Sequence, residues 1–225
     1  LVLADDIGIR LAGTSNEIKV RDFLVETLWR YGLDNVHTQT FPHRAWTPID
    51  ERLLIQHLLE RGLMSVLWTF TIPSEDGVEG EIIFLERGDR QDLEANKEQV
   101  KGRFIAAPYY PFARQLKTPL AAEYGAVGLI EIEILLGAAT STNVAFAKIG
   151  AIPVASISKE DAEYLRRLNS RKDTVRLKLI LDSHIEWKDS WNVIGEISGN
   201  SSGEEHIIVG GHYDSWHVGP GAVDN

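Results

Sequence analysis

His206-Ile-Ile-Val-Gly-Gly-His212-Tyr-Asp214-Ser-Trp-His-Val-Gly-Pro-Gly-Ala-Val-Asp224-Asn225 is the stretch on which the reading of this chain turns. Residues 206–211 carry three β-branched side chains into a Gly-Gly pair, the pattern of a short buried strand. His212 and Asp214 are two apart, so on an extended backbone they leave the same face. A carboxylate there can reach one imidazole nitrogen, fix the tautomer and leave the other nitrogen for a metal. Gly219-Pro220-Gly221 then stops regular structure and forces a tight turn. Such a turn would return Asp224 to the neighbourhood of His212. An imidazole with a carboxylate suits zinc, with manganese and cobalt as alternatives. Histidine and aspartate two apart are by themselves a common surface pair. The apolar run, the Gly-Gly and the G-P-G-A-x-D context turn that pair into a metal motif.

Composition closes off several functional classes. The chain has 225 residues, 44% hydrophobic and 25% charged, enough for one large core or two modest ones. Its formal net charge of −10, from 23 basic and 33 acidic residues, argues against nucleic acid and against anionic membranes as partners. The apolar stretches near residues 64–72 and 129–136 are too short to span a bilayer, and the second also carries Glu131 and Glu133. Zero cysteines exclude disulfides, thiolate zinc sites and a cysteine nucleophile. The chain opens at Leu1 without a basic-then-apolar leader, so a leader is expected to be removed or not included. The compartment stays open between extracytoplasmic and cytoplasmic.

Upstream, strands and helices mix. Thr14 and Glu17 have capping-box spacing, and Val20, Phe23, Leu24, Thr27, Leu28 and Tyr31 follow at helical period until Gly32. Residues 36–41 alternate as a strand that Pro42 should close, and residues 52–56 are a further candidate strand. Residues 58–71 fit helix and strand alike. Pro73-Ser-Glu-Asp-Gly77 is turn-rich and is read as a domain boundary. Beyond it, strands are expected over 81–85, 103–107 and 127–132, with helices or turns over 92–97 and 118–124. Ser158 and Asp161 begin a capped helix with Ala162, Leu165 and Leu168 on its apolar side. Val175, Leu177, Leu179 and Leu181 alternate with polar residues as a half-exposed strand. Residues 75–186 therefore read as a compact α+β module.

Other candidates carry less. His37, His43, His57, His184 and His206 lie apart from one another and from acidic ligand spacing, the habit of packed or surface histidines. His217, inside the metal loop, would at most touch substrate. Ser215 beside His212 and Asp214 offers the residue types of a hydrolase triad. Sequence neighbours seldom build one in space, however, and G-x-S-x-G is absent. No phosphate-binding glycine loop occurs.

Ile207-Ile-Val-Gly-Gly-His-Tyr-Asp-Ser-Trp and Gly219-Pro-Gly-Ala-Val-Asp-Asn together resemble the first metal-binding segment of the co-catalytic zinc aminopeptidases and glutamate carboxypeptidases. Gly8-Ile-Arg-Leu-Ala-Gly13 resembles the opening segment of that family, and Trp191-Asn-Val-Ile-Gly-Glu-Ile197 the strand before its metal strand. Ala121-Ala-Glu-Tyr-Gly-Ala-Val-Gly-Leu-Ile130 and Ile152-Pro-Val-Ala-Ser-Ile-Ser158 resemble a protease-associated domain. The resemblance implies an α/β fold: a partial zinc-exopeptidase sheet domain over residues 1–74 and 187–225, with an α+β protease-associated insertion over 75–186. It implies that His212 ligates one of two zinc ions, that Asp224 bridges both, and that Asp214 supports His212 in catalysis. The implied nucleophile is a hydroxide between the metals, with a general-base glutamate and further ligands beyond residue 225. The implied activity is hydrolysis at a peptide terminus. Aminopeptidase comes first, dipeptide or glutamate carboxypeptidase second, and a non-catalytic receptor-like relative is the alternative from another class. Two ligands cannot hold two zinc ions, which take about four ligands each, so this chain by itself is expected to be an inactive N-terminal fragment. The inserted module leaves a homo-oligomer open.

Overall fold

The structure, a computed structural model, describes residues 2–56, 60–109, 114–134, 151–171, 175–199 and 205–222. The chain divides into two compact units, one of Leu1–Trp46 with Ile185–Asn225 and one of Thr47–His184.

In the first unit a π-helical turn, Val2–Ile7, precedes helix α1, Ser15–Arg30. The expected capping box forms one residue out of place. The Thr14 hydroxyl donates to the Leu11 carbonyl at 2.6 Å instead of capping the helix. The Glu17 carboxylate reaches back to the Gly13 N–H at 2.6 Å and also accepts from the Ser190 hydroxyl. Glu17 is thereby buried and satisfied, and the segment before α1 is tied to the strand that carries Ser190. Gly32, at φ +79°, ends the helix in the left-handed conformation that glycine adopts without steric penalty. Strand β1 spans Asp34–Gln56 and does not stop at Pro42. Its recorded register with strand β2, Glu60–Leu63, covers only Leu53↔Leu63 to Gln56↔Glu60. Pro42 lies outside that register, so the ladder to β2 needs no N–H from it.

The second unit holds the larger core. Its strands are the end of β1, β2, β3 (Ser65–Leu67), β4 (Ser74–Phe84), β5 (Phe104–Pro108), β6 (Gly128–Ile132), β7 (Val154–Ile157) and the start of β8 (Arg176–Glu196). They form one mixed sheet in the order β2-β1-β8-β4-β5-β6-β7-β3. The strands β4, β5, β6 and β7 run parallel, while β8 joins β4 and β3 joins β7 antiparallel. Parallel neighbours need crossover connections. The helices α2 (Arg90–Ala95), α3 (Lys97–Val100) and α4 (Arg114–Glu123) serve that role between β4 and β6. Helix α5, Lys159–Ser170, follows β7, and the Ser158 hydroxyl caps it by accepting from the Asp161 N–H at 3.1 Å. Trp68, Leu93, Val100, Ile105, Ala121, Leu129 and Val154 close on one another as the core. Val175, Leu177, Leu179 and Leu181 are all buried, as their alternation indicates. Residues 74–77 enter β4 with a register shift between Ser74 and Val78, where Gly77 has φ +83°.

Beneath α4 lies a buried ion pair, Lys117 Nζ to Glu131 Oε1 at 3.2 Å, with Nζ also donating to the carbonyls of Pro108 and Tyr109. No helix among the described residues is long and apolar enough to cross a membrane.

One expectation fails outright. Residues 205–212 form no strand, and Ile207, Ile208 and Val209 are 95%, 91% and 94% exposed. A strand exists only through neighbours that accept its N–H groups and cover its side chains. The β-branched run has the propensity, but the described residues supply no ladder for it.

Candidate metal centre

The loop over residues 205–222 belongs to the first unit, with the first part of β1, the last part of β8 and the segment before α1. Its backbone is irregular, so what fixes it is hydrogen bonding to side chains and carbonyls of that unit. Tyr213 donates its hydroxyl to the Trp191 carbonyl at 2.7 Å. Burial and the nearby Glu17 carboxylate push the Tyr213 phenol up to about 12, so it stays a neutral donor at physiological pH. Ser215 is buried, and its N–H donates to the Arg10 carbonyl at 3.3 Å. Its hydroxyl accepts from the Arg10 N–H at 2.9 Å and donates to the Trp216 carbonyl at 3.2 Å. These bonds tie Ser215 to the backbone and not to His212, which removes the superficial triad.

His212 and Asp214 do meet. His212 Nδ1 lies 3.0 Å from Asp214 Oδ1, and both side chains are about half exposed. The carboxylate accepts from Nδ1–H, which fixes the tautomer in which Nε2 carries the lone pair. Asp224 lies outside the described residues. Among the described residues, no group of three or more His, Cys, Asp or Glu is gathered to hold a metal ion. Of the other histidines, His37 Nδ1 contacts the Asn35 carbonyl at 2.7 Å, and His57 lies outside the described residues.

His217 turns away from solvent. Its ring sits edge-on to Trp46, with centroids 4.9 Å apart and an interplanar angle of 69°. Neither ring nitrogen has a hydrogen-bond partner among the described residues, and burial pulls its pKa down to about 4. It is a neutral, packed imidazole.

The residue that sequence reasoning passed over is Arg10. It is fully buried, and its guanidinium donates to carbonyls in the middle and at the C-terminal turn of the loop. Nε donates to Tyr213 O at 2.6 Å, Nη1 to Pro220 O at 2.6 Å and Nη2 to Gly221 O at 3.1 Å. Nη1 also donates to Gly8 O at 3.2 Å and Leu3 O at 3.4 Å. The available signal was an arginine between Ile9 and Leu11 in a short glycine-bounded segment. A cation in such surroundings is buried only when it has several acceptors. Gly13, which closes the segment, has φ +85°, and a Cβ there would lie 2.4 Å from the Ala45 Cβ.

Residues 192–225 match the model described as Peptidase family M28. Carboxypeptidase Q from Homo sapiens is 30% identical to this chain over 242 aligned positions, covering all of this chain and 50% of the human protein. The chain spans about half the length of the curated relatives it matches along its whole length. Among solved structures, a Peptidase M28 precursor from Shewanella amazonensis SB2B superposes with a TM-score of 0.75 at 24% identity, over 96% of this chain and 53% of that one. A zinc aminopeptidase from Bacillus subtilis superposes with a TM-score of 0.63 at 25% identity, over 86% of this chain and 44% of that one. The mixed α/β fold is therefore shared with M28 peptidases. The C-terminal segment is thus similar to Peptidase family M28, and the chain along its whole length is similar to carboxypeptidase Q.

Proposed function

We propose that this chain is part of a zinc-dependent exopeptidase that hydrolyses the peptide bond next to a chain terminus. The observation that carries the reading is the 3.0 Å contact between His212 Nδ1 and Asp214 Oδ1, inside the segment matched to Peptidase family M28. The donor chemistry fits zinc. A carboxylate on one ring nitrogen orients the ring and fixes the tautomer in which the other nitrogen carries the lone pair that zinc takes. His212 would ligate one ion through Nε2, Asp224 would bridge two ions, and Asp214 would hold the His212 ring. Further ligands would come from the remainder of the intact protein, consistent with the length of its relatives. When bound, zinc would supply Lewis acidity toward the substrate carbonyl and toward water. Tyr213, anchored on Trp191, would keep the backbone between His212 and Asp214 in place.

Aminopeptidase is the first reading, supported by the fold shared with a protein named a zinc aminopeptidase. Carboxypeptidase is the second, favoured by the name of the relatives that match along the whole chain. The module over 75–186, nearly all inside the unit Thr47–His184, is proposed to be a protease-associated insertion. Its parallel strands with helical crossovers support an independently packed α/β layer. The intact protein should be given one peptide with a free amino terminus and amidated carboxyl terminus, and another acetylated at the amino terminus with a free carboxyl terminus. Chelator-sensitive cleavage of the first alone supports aminopeptidase, and of the second alone carboxypeptidase. Cleavage of neither would overturn the exopeptidase reading.

A further inference from the structure

We propose that Arg10 is a positioning residue that clamps the metal loop at Tyr213 and at the Pro220–Gly221 turn and so sets the approach of the His212 ligand. The inference rests on the zinc reading above. Tyr213, whose carbonyl takes the Arg10 Nε–H, stands between His212 and Asp214 in the chain. Pro220 and Gly221, whose carbonyls take the terminal N–H groups, form the turn that leads toward Asp224. One rigid, planar donor group therefore holds the backbone between His212 and Asp214 together with the Pro220–Gly221 turn, more than 200 residues away in sequence. The main chain of Arg10 adds a two-way bridge, with its N–H to the Ser215 hydroxyl and its carbonyl to the Ser215 N–H. The Gly8 and Leu3 carbonyls also accept from Nη1 and complete the cradle.

Lysine would bring charge without this reach. A guanidinium presents its N–H groups in a fixed fork, whereas an ammonium offers three donors from one point. An ammonium at position 10 cannot serve Tyr213 and Gly221 together. The loop has no strand ladder of its own, so loss of the fork leaves the His212–Asp214 arm and the Pro220–Gly221 turn to move independently. The consequence falls on metal affinity and coordination geometry, and on kcat before KM.

The test is zinc affinity of the intact protein by competition with a chromophoric chelator, for the unaltered protein, Arg10→Lys and Ser215→Ala. Folding is checked by far-ultraviolet circular dichroism, and the visible spectrum of each cobalt-substituted protein is recorded alongside. Arg10→Lys, folded, is expected to bind zinc about tenfold or more weakly, as loss of an orienting partner does, and to show a shifted cobalt spectrum. Affinity within twofold of the unaltered protein together with an unshifted spectrum would overturn the proposal, whatever the loss of thermal stability. If Arg10→Lys does not fold, Ser215→Ala decides: weaker zinc binding supports the clamp, and unchanged binding overturns it. If the unaltered protein itself holds no zinc, the metal reading fails and the clamp with it. Zinc held equally by all three proteins sinks the clamp alone.

Discussion

Replacing Gly13 by alanine tests how the segment that carries Arg10 is held. Two separate penalties apply at this position. Gly13 has φ +85°, and a side chain in the left-handed region costs about 1–2 kcal/mol. A Cβ there would also lie 2.4 Å from the Ala45 Cβ and 3.4 Å from the Ala45 Cα on β1. Since backbone is involved, the contact cannot be relieved by a rotamer change, and overpacking of this kind costs about 1–3 kcal/mol. The sum is a loss of about 2–5 kcal/mol. Gly32 supplies the control, because it has φ +79° and nothing within 4 Å of its added Cβ. Gly32→Ala should therefore lose only the backbone part, about 1–2 kcal/mol. The assay is urea unfolding of both variants and the parent, with the slopes compared so that a change in the unfolded ensemble is detected. The gap between the two variants isolates the contact with Ala45. Equal destabilisation by the two substitutions would refute the packing of the Gly13 turn on β1.

The buried pair Lys117–Glu131 predicts that Lys117→Met destabilises the chain by about 3–5 kcal/mol, because removal of one partner leaves a buried charge; a change below about 1 kcal/mol in urea unfolding would place the pair in water. His217 has its pKa pulled down to about 4 by burial, from an ordinary 6.5, so the unfolded chain binds the extra proton first. Its contribution is fully present above pH 6.5 and is lost as pH falls toward 4, and His217→Phe should flatten thermal stability across that window; an unchanged slope counts against a buried neutral imidazole. The exposed run Ile207–Ile208–Val209 predicts concentration-dependent self-association of this chain that Ile208→Lys reduces, measured by light scattering. Identical scattering by the two proteins would show that the run is not the contact.

Much of the second unit was legible because its signals are local. The Ser158 cap and the stop at Gly125 depend on neighbours within a few residues. The alternation of Leu177, Leu179 and Leu181 likewise needs only a period of two to declare its buried face. Elements decided by distant partners were not readable. Pro42 stands inside β1 outside its register with β2, and Glu17 accepts from Gly13 while reaching Ser190, 173 residues away. The 207–209 run shows the converse, a local strand propensity without neighbours to use it. At the site, the spacing of His212 and Asp214 anticipates their contact, which forms although the backbone there is irregular and not the strand expected. Arg10 and His217 could not be placed the same way, for their partners lie more than 170 residues off. An arginine among apolar neighbours announces that acceptors exist, not which ones.

Zinc content of the purified intact protein, compared between His212→Ala and His206→Ala, tests whether His212 is a metal ligand. Both histidines sit on the same exposed stretch, but only His212 has its ring held by a carboxylate. His206→Ala should retain the parent's zinc and His212→Ala should lose it, with both proteins folded by circular dichroism. Equal zinc in the two variants would contradict that role.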